Sequence, residues 1–187
     1  MGTILDILLI IQSFLTFSPA SQNVKYWDEF SAQEKNVVLK YGRVDALILG
    51  YYNGKIVPSD DERTFALLNT LSEDKGCSED LPLRFYLFNR ILTEADGAIA
   101  EILGSYCLLW LDAQCFYVFY YLRNHPEIED YYLHYLSAEF YFSGDDPNIR
   151  FNTFRQTILG KCNIEGPYLM LFFEKLKTRI ESLQQNP

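Results

Sequence analysis

The chain has 187 residues, 49% of them hydrophobic and 22% charged, a balance that excludes a disordered chain and suits one folded domain. Its net charge of −9 repels phosphate backbones, and no Lys/Arg cluster offsets it, so nucleic acid and anionic membrane surfaces are excluded as partners. A protein partner that is basic or neutral suits such a surface better.

The first segment, Ile7 to Phe17, reads ILLIIQSFLTF. It is shorter than the stretch of about 20 apolar residues that a spanning helix needs. Ser18 and Ala20 follow as small residues at the −3 and −1 positions of a signal-peptidase site, with Pro19 between them. Residues 1–20 therefore read as a secretory signal cut after Ala20, although the start lacks Lys or Arg and carries Asp6. This places the mature chain, 21–187, outside the cytoplasm with no membrane insertion after cleavage. The competing reading makes the segment the first helix of a cytoplasmic structural protein, since Ile4, Ile7, Leu8, Ile11, Phe14 and Leu15 share helical spacing.

Helical signals then continue to the end. Ser31 and Glu34 form a capping box that opens one helix through Tyr52, stopped by Asn53-Gly54. Ser59 and Glu62 make a second box, with Phe65, Leu68 and Leu71 as its apolar face. LPLRFYLFNRIL is the next helix, and Thr93 caps the one after it. That helix carries the regular stripe Ile99, Ile102, Leu103, Tyr106, Cys107, Trp110 and Leu111. Asp112 is expected to break it and cap AQCFYVFYYLRN, which is apolar nearly all round and so central. Pro126, Pro147 and Pro167 suit the first turns of three more helices. No strand-like alternation persists. The predicted fold is all-α, one domain of about seven antiparallel helices, either a bundle or a short HEAT-like array of helical hairpins.

The stretch ADGAIAEILGSYCLLWLDAQCFYVFYYL, Ala95 to Leu122, resembles a pattern of small uncharacterised exported bacterial helical proteins. In it a D-G-x-x-x-E helix is followed by a second helix that starts around an aromatic. The resemblance implies helical hairpins and export, and implies no activity.

Catalytic and cofactor signatures are missing. There is no G-x-S-x-G, no glycine-rich phosphate loop and no C-x2-C pair, and only two histidines. Asp130 and His134, four apart, could chelate a metal with His125 and Glu127, but acidic residues in a first helical turn are ordinary partners of the helix dipole. No metal or cofactor is expected. A hydrolase acting on cell-wall glycan would need two carboxylates across a cleft, with Asp45, Glu101, Asp112 and Glu139 as candidates.

Four cysteines, an even count, suit an exported chain with a disulfide. Cys77 and Cys162 both sit near loops and form the expected bond. Cys107 and Cys115 lie among large apolar residues; on one straight helix they would stand about 12 Å apart, too far to bond, and they could pair only if the chain turns at Asp112.

The main anomaly is aromatic content, 14 Tyr, 14 Phe and 2 Trp, concentrated between Tyr106 and Phe142. A helix face can bury only half of FYVFYY or DYYLHY. Some of Tyr117, Tyr120, Tyr121, Tyr131, Tyr132 and Tyr135 should remain at the surface as binding anchors. The sequence thus points to a non-catalytic, exported binding protein, in one version a periplasmic inhibitor or immunity-type protein. The glycan hydrolase and the cytoplasmic structural protein are its rivals.

Overall fold

The computed structural model describes residues 24–76, 78–162 and 167–185. The opening apolar segment, Cys77 and the Asn163–Gly166 link lie outside them. The protein is all-helical, with eight α-helices, 78% helix and no strand among the described residues. After a 3-10 turn at Trp27–Glu29 come α1 (Ala32–Tyr41), α2 (Ala46–Tyr52), α3 (Glu62–Ser72) and α4 (Leu81–Glu94). Then follow α5 (Gly97–Leu122), α6 (Pro126–Phe142), α7 (Pro147–Lys161) and α8 (Pro167–Gln185). The chain divides into two compact units, residues 1–90 and 91–187, with the division inside α4.

In the first unit the predicted capping box is present. Ser31 Oγ accepts from Glu34 N, and the Glu34 carboxylate reaches back to Ser31 N at 2.7 Å. Lys25 and Ser31 hold Glu34 as an anion and lower its pKa to about 2. The predicted single helix through Tyr52 is in fact two. Gly42 ends α1, Arg43 takes φ +50, and Asp45 restarts the chain by accepting from Leu47 N at 2.7 Å. A side-chain acceptor two residues before a free amide outcompetes continuing the helix. The second cap also differs from expectation. Asp61 caps α3 through Thr64 N at 2.8 Å, and Ser59 instead donates its hydroxyl to Asp61.

Arg84 ties α4 to the end of α3. Its side chain is 1% exposed; Nη1 donates to the Leu71 and Glu73 carbonyls, and Nε faces Asp80 at 3.3 Å. Those carbonyls belong to a helix end, where backbone acceptors have no intrahelical donor. One buried cation thus satisfies them while Asp80 balances its charge.

In the second unit α5 is the spine. The sequence places a break at Asp112; the structure has it two residues on, where Gln114, with φ of −134° and ψ of 40°, kinks α5 and divides it into two helical stretches. Thr93 does not cap it either, because α4 runs on through Glu94 and Asp96 holds the N-cap position. The predicted stripe is largely buried, with Leu103, Cys107 and Leu111 at 0% exposure. Beyond the kink Val118, Phe119 and Leu122 are also at 0%, as an all-round apolar helix requires. By length and hydropathy α5 would also suit a membrane span, and 56% of that stretch is buried inside the fold.

Helix α6 packs on both α5 and α8, and α7 touches all three. The closest approach is at Gly104. A Cβ there would stand 2.5 Å from both the Tyr135 carbonyl oxygen and Glu139 Cβ, so only glycine lets α5 and α6 meet. Three links join the first turns of α6 to α8. Buried Glu129 accepts from Tyr168 Oη and from Lys175 Nζ (2.6 Å), and Asp130 pairs with Arg179. Edge-on ring contacts fill the space behind them, Phe119 on Phe172 at 5.0 Å and Phe154 on Phe173 at 6.0 Å.

Gly104→Ala should destabilise the protein by about 1–3 kcal/mol, because the methyl meets backbone and a Cβ that cannot swing aside. Denaturant unfolding checks this; a loss below about 0.5 kcal/mol would mean the helices separate freely there.

Candidate functional site

The six tyrosines singled out by sequence separate into two groups. Tyr132 is fully buried, and Tyr117, Tyr135 and Tyr121 are at 5%, 6% and 8% exposure. These four are core residues and present no surface. Burial raises the Tyr132 and Tyr135 hydroxyls above the usual phenol range, as expected for rings removed from water. Tyr121 stacks on His125 with centroids 3.9 Å apart. Only Tyr120 and Tyr131 are exposed, and they belong to different helices, α5 and α6. Tyr120 stacks on exposed Phe116 at 6.2 Å. The Tyr-lined surface reduces to these two positions.

The candidate metal cluster is taken up by structural pairs. Asp130 turns to Arg179, and His125 Nδ1 faces Glu127 at 3.3 Å. His134 packs edge-on against Tyr135. Among the described residues no group of three or more His, Cys, Asp or Glu could hold a metal ion.

One hollow lies along α7. It is a groove of about 540 Å³ walled by Leu108 and Leu109 of α5, Phe140 of α6, and Ile149, Phe154 and Ile158 of α7. Leu109 and Ile149 are 49% and 66% exposed, so the wall is open to solvent. Asp112, Asp145, Asp146 and Arg150 stand around it. Arg150 is committed elsewhere. It donates to the Glu139 carbonyl at 3.0 Å, faces the Glu139 carboxylate at 3.3 Å, and lies over the Phe140 ring. Asp146 caps α7 through Asn148 N at 2.8 Å, and Asp112 pairs with Lys161. With its arginine drawn aside, the rim is acidic at Asp145 and Asp146. The groove owes its shape to the α6–α7 turn, where Gly144 takes φ +85 and Pro147 starts the next helix.

A second cavity of about 680 Å³ lies between α5, α6 and the end of α8. Glu101, His134 and Glu139 line it with Tyr135, exposed Phe142 and Leu183. It therefore brings together two of the four carboxylates considered for glycan hydrolysis. The others serve the fold, Asp45 as the α2 cap and Asp112 as the partner of Lys161.

The predicted Cys77–Cys162 bond falls partly on a residue outside the described ones. Cys162 is buried at 5% and its thiol hydrogen-bonds the Cys115 sulfur. The sequence offered no route to that neighbour, because 46 residues and two turns separate the two positions. Cys107 is fully buried, and burial pushes its thiol well above the usual range.

Comparison with protein-family models, curated proteins and solved structures gives no match to this chain.

The tyrosine placement is testable by stability alone. Tyr132→Ala should cost about 3–5 kcal/mol, the scale of a truncated core aromatic, whereas Tyr120→Ala and Tyr131→Ala should each change unfolding free energy by about 0.5 kcal/mol or less. Equal losses at all three positions would contradict this division.

Proposed function

We propose that this is an exported, non-catalytic binding protein that seats a basic, partly apolar segment of a partner protein in the groove along α7. The observation that carries the reading is the pairing of an open apolar wall, Leu109 and Ile149, with an acidic rim whose one arginine is held by Glu139. Apolar contact supplies affinity, and the carboxylates select Lys or Arg over Asp or Glu in the partner. The net charge of −9 extends the same preference over long range. An inhibitor or immunity-type protein that covers a basic cleft is one version of this reading. Exposed Tyr120, with Phe116 stacked on it, is a further apolar anchor on the same helix as Leu109.

A second reading, hydrolysis of cell-wall glycan, is favoured by the shared cavity of Glu101 and Glu139. Against it stands the Arg150 contact, which ties the Glu139 carboxylate to α7 at 3.3 Å.

The test is fluorescence anisotropy with a labelled amphipathic peptide of alternating Lys and Leu. The protein should bind it, added salt should weaken binding, and Leu109→Lys or Ile149→Lys should weaken it about tenfold. Equal binding of the same peptide with Glu in place of Lys, or no effect of either substitution, would remove the proposal. Glycan-degrading activity abolished by Glu101→Gln would instead establish the hydrolase.

Export is read separately from the intact mass of the protein recovered from its own cell. A mass starting at Ser21 supports it, and one that retains the opening segment refutes it.

A further inference from the structure

The geometry points to a dithiol–disulfide site at Cys115 and Cys162, which oxidation by a small-molecule disulfide converts to a covalent link between α5 and the end of α7. Both thiols are buried, and the Cys162 side chain is the group that acts most strongly on the Cys115 thiol. Two features hold them there. Cys115 directly follows the kink at Gln114, so its side chain leaves the direction of the first part of α5. Cys162 ends α7, with extended backbone (φ −89°, ψ 104°), and its amide still donates to the Ile158 carbonyl at 2.7 Å. An ion pair then joins the same two stretches of chain a second time. Lys161, the residue before Cys162, binds Asp112, one turn before Cys115. The pair is thus fixed by contacts independent of the sulfurs.

Cys115 is the attacking thiol. The Cys162 hydrogen bond, opposed by burial and aided by the Phe116 amide and Lys161, lowers its pKa below that of an ordinary thiol. Cys107 is affected in the opposite direction and stays inert. The Cys115 thiolate attacks one sulfur of glutathione disulfide, whose S–S bond breaks. One glutathione leaves as a thiolate and takes up a proton, while a mixed disulfide forms on Cys115. The Cys162 thiolate then attacks the Cys115 sulfur and expels the second glutathione, which is protonated in turn. Two protein thiols are oxidised and one glutathione disulfide is reduced to two thiols. This link replaces the Cys77–Cys162 pairing that loop positions alone suggest. It does not depend on the groove, and a failure of peptide binding would leave it standing.

The experiment is peptide mapping of the full chain after equilibration with oxidised glutathione, alkylation without reduction, and digestion. The expected product joins the peptide with Cys115 to the peptide with Cys162, and Cys77→Ser should leave its yield unchanged. The linked form should melt about 10 °C higher than the reduced form, because the bond closes a long loop, and reduction should reverse the shift. A Cys77–Cys162 peptide, or full alkylation of Cys115 and Cys162 at equilibrium, would overturn the assignment.

Discussion

The second unit depends on the contact between Gly104 and the backbone of α6 at Tyr135 and Glu139. Helices with ordinary side chains at the crossing pack about 8–10 Å apart. The missing Cβ allows a closer approach at this point, and it fixes where Glu139 stands. Glu139 in turn receives Arg150 from α7, through both its carbonyl and its carboxylate. Three helices are therefore positioned around one residue. The groove begins one turn further along α5, at Leu108, and one residue further along α6, at Phe140. Its width and its exposed acidic rim both follow from the same crossing.

Buried charge supplies the second constraint. Glu129 is 4% exposed, a costly state for a carboxylate unless donors surround it. Tyr168 and Lys175 provide them, and the first turn of α6 adds the favourable end of the helix dipole. Arg84 solves the mirror problem in the first unit, where a cation neutralises orphan carbonyls and is balanced by Asp80. Such pairs discriminate against misdocked helices more than they add net stability, since a slip would strand a charge out of water.

Much of this architecture was readable in the residues. The Ser31–Glu34 box, the Asn53-Gly54 stop and the three prolines at Pro126, Pro147 and Pro167 all lie at helix ends, because each acts on its own backbone. Two of the differences share one cause, competition between neighbouring caps. Asp45 caps a helix start inside a segment expected to be continuous, and Asp61 caps α3 in place of Ser59, since aspartate is at least as good a cap as serine. The break expected at Asp112 falls at Gln114, two residues on, and the Asp112 carboxylate pairs with Lys161, 49 residues away. Tyrosine exposure was less legible still. Periodicity assigns one face per helix, but the end of α5 is enclosed on several sides, so Tyr117 and Phe119, which point to nearly opposite sides of the helix, are both buried. The groove has no sequence signature because its walls come from three helices.

The distribution of charge connects these observations. Among the described residues of the second unit, Lys161, Lys175, Arg179 and Arg150 are each spent on an internal carboxylate. Those pairs join one helix to another, and two of the cations stand at the groove itself, Arg150 in its lining and Lys161 on its Asp112. Asp112, Asp145 and the capping Asp146 share the groove lining with a single cation, Arg150, so the rim retains the sign of the whole chain. The basic amphipathic segment proposed for the groove rests on this combination, an apolar wall of Leu109 and Ile149 inside a mainly acidic rim, since such a rim would repel an acidic segment.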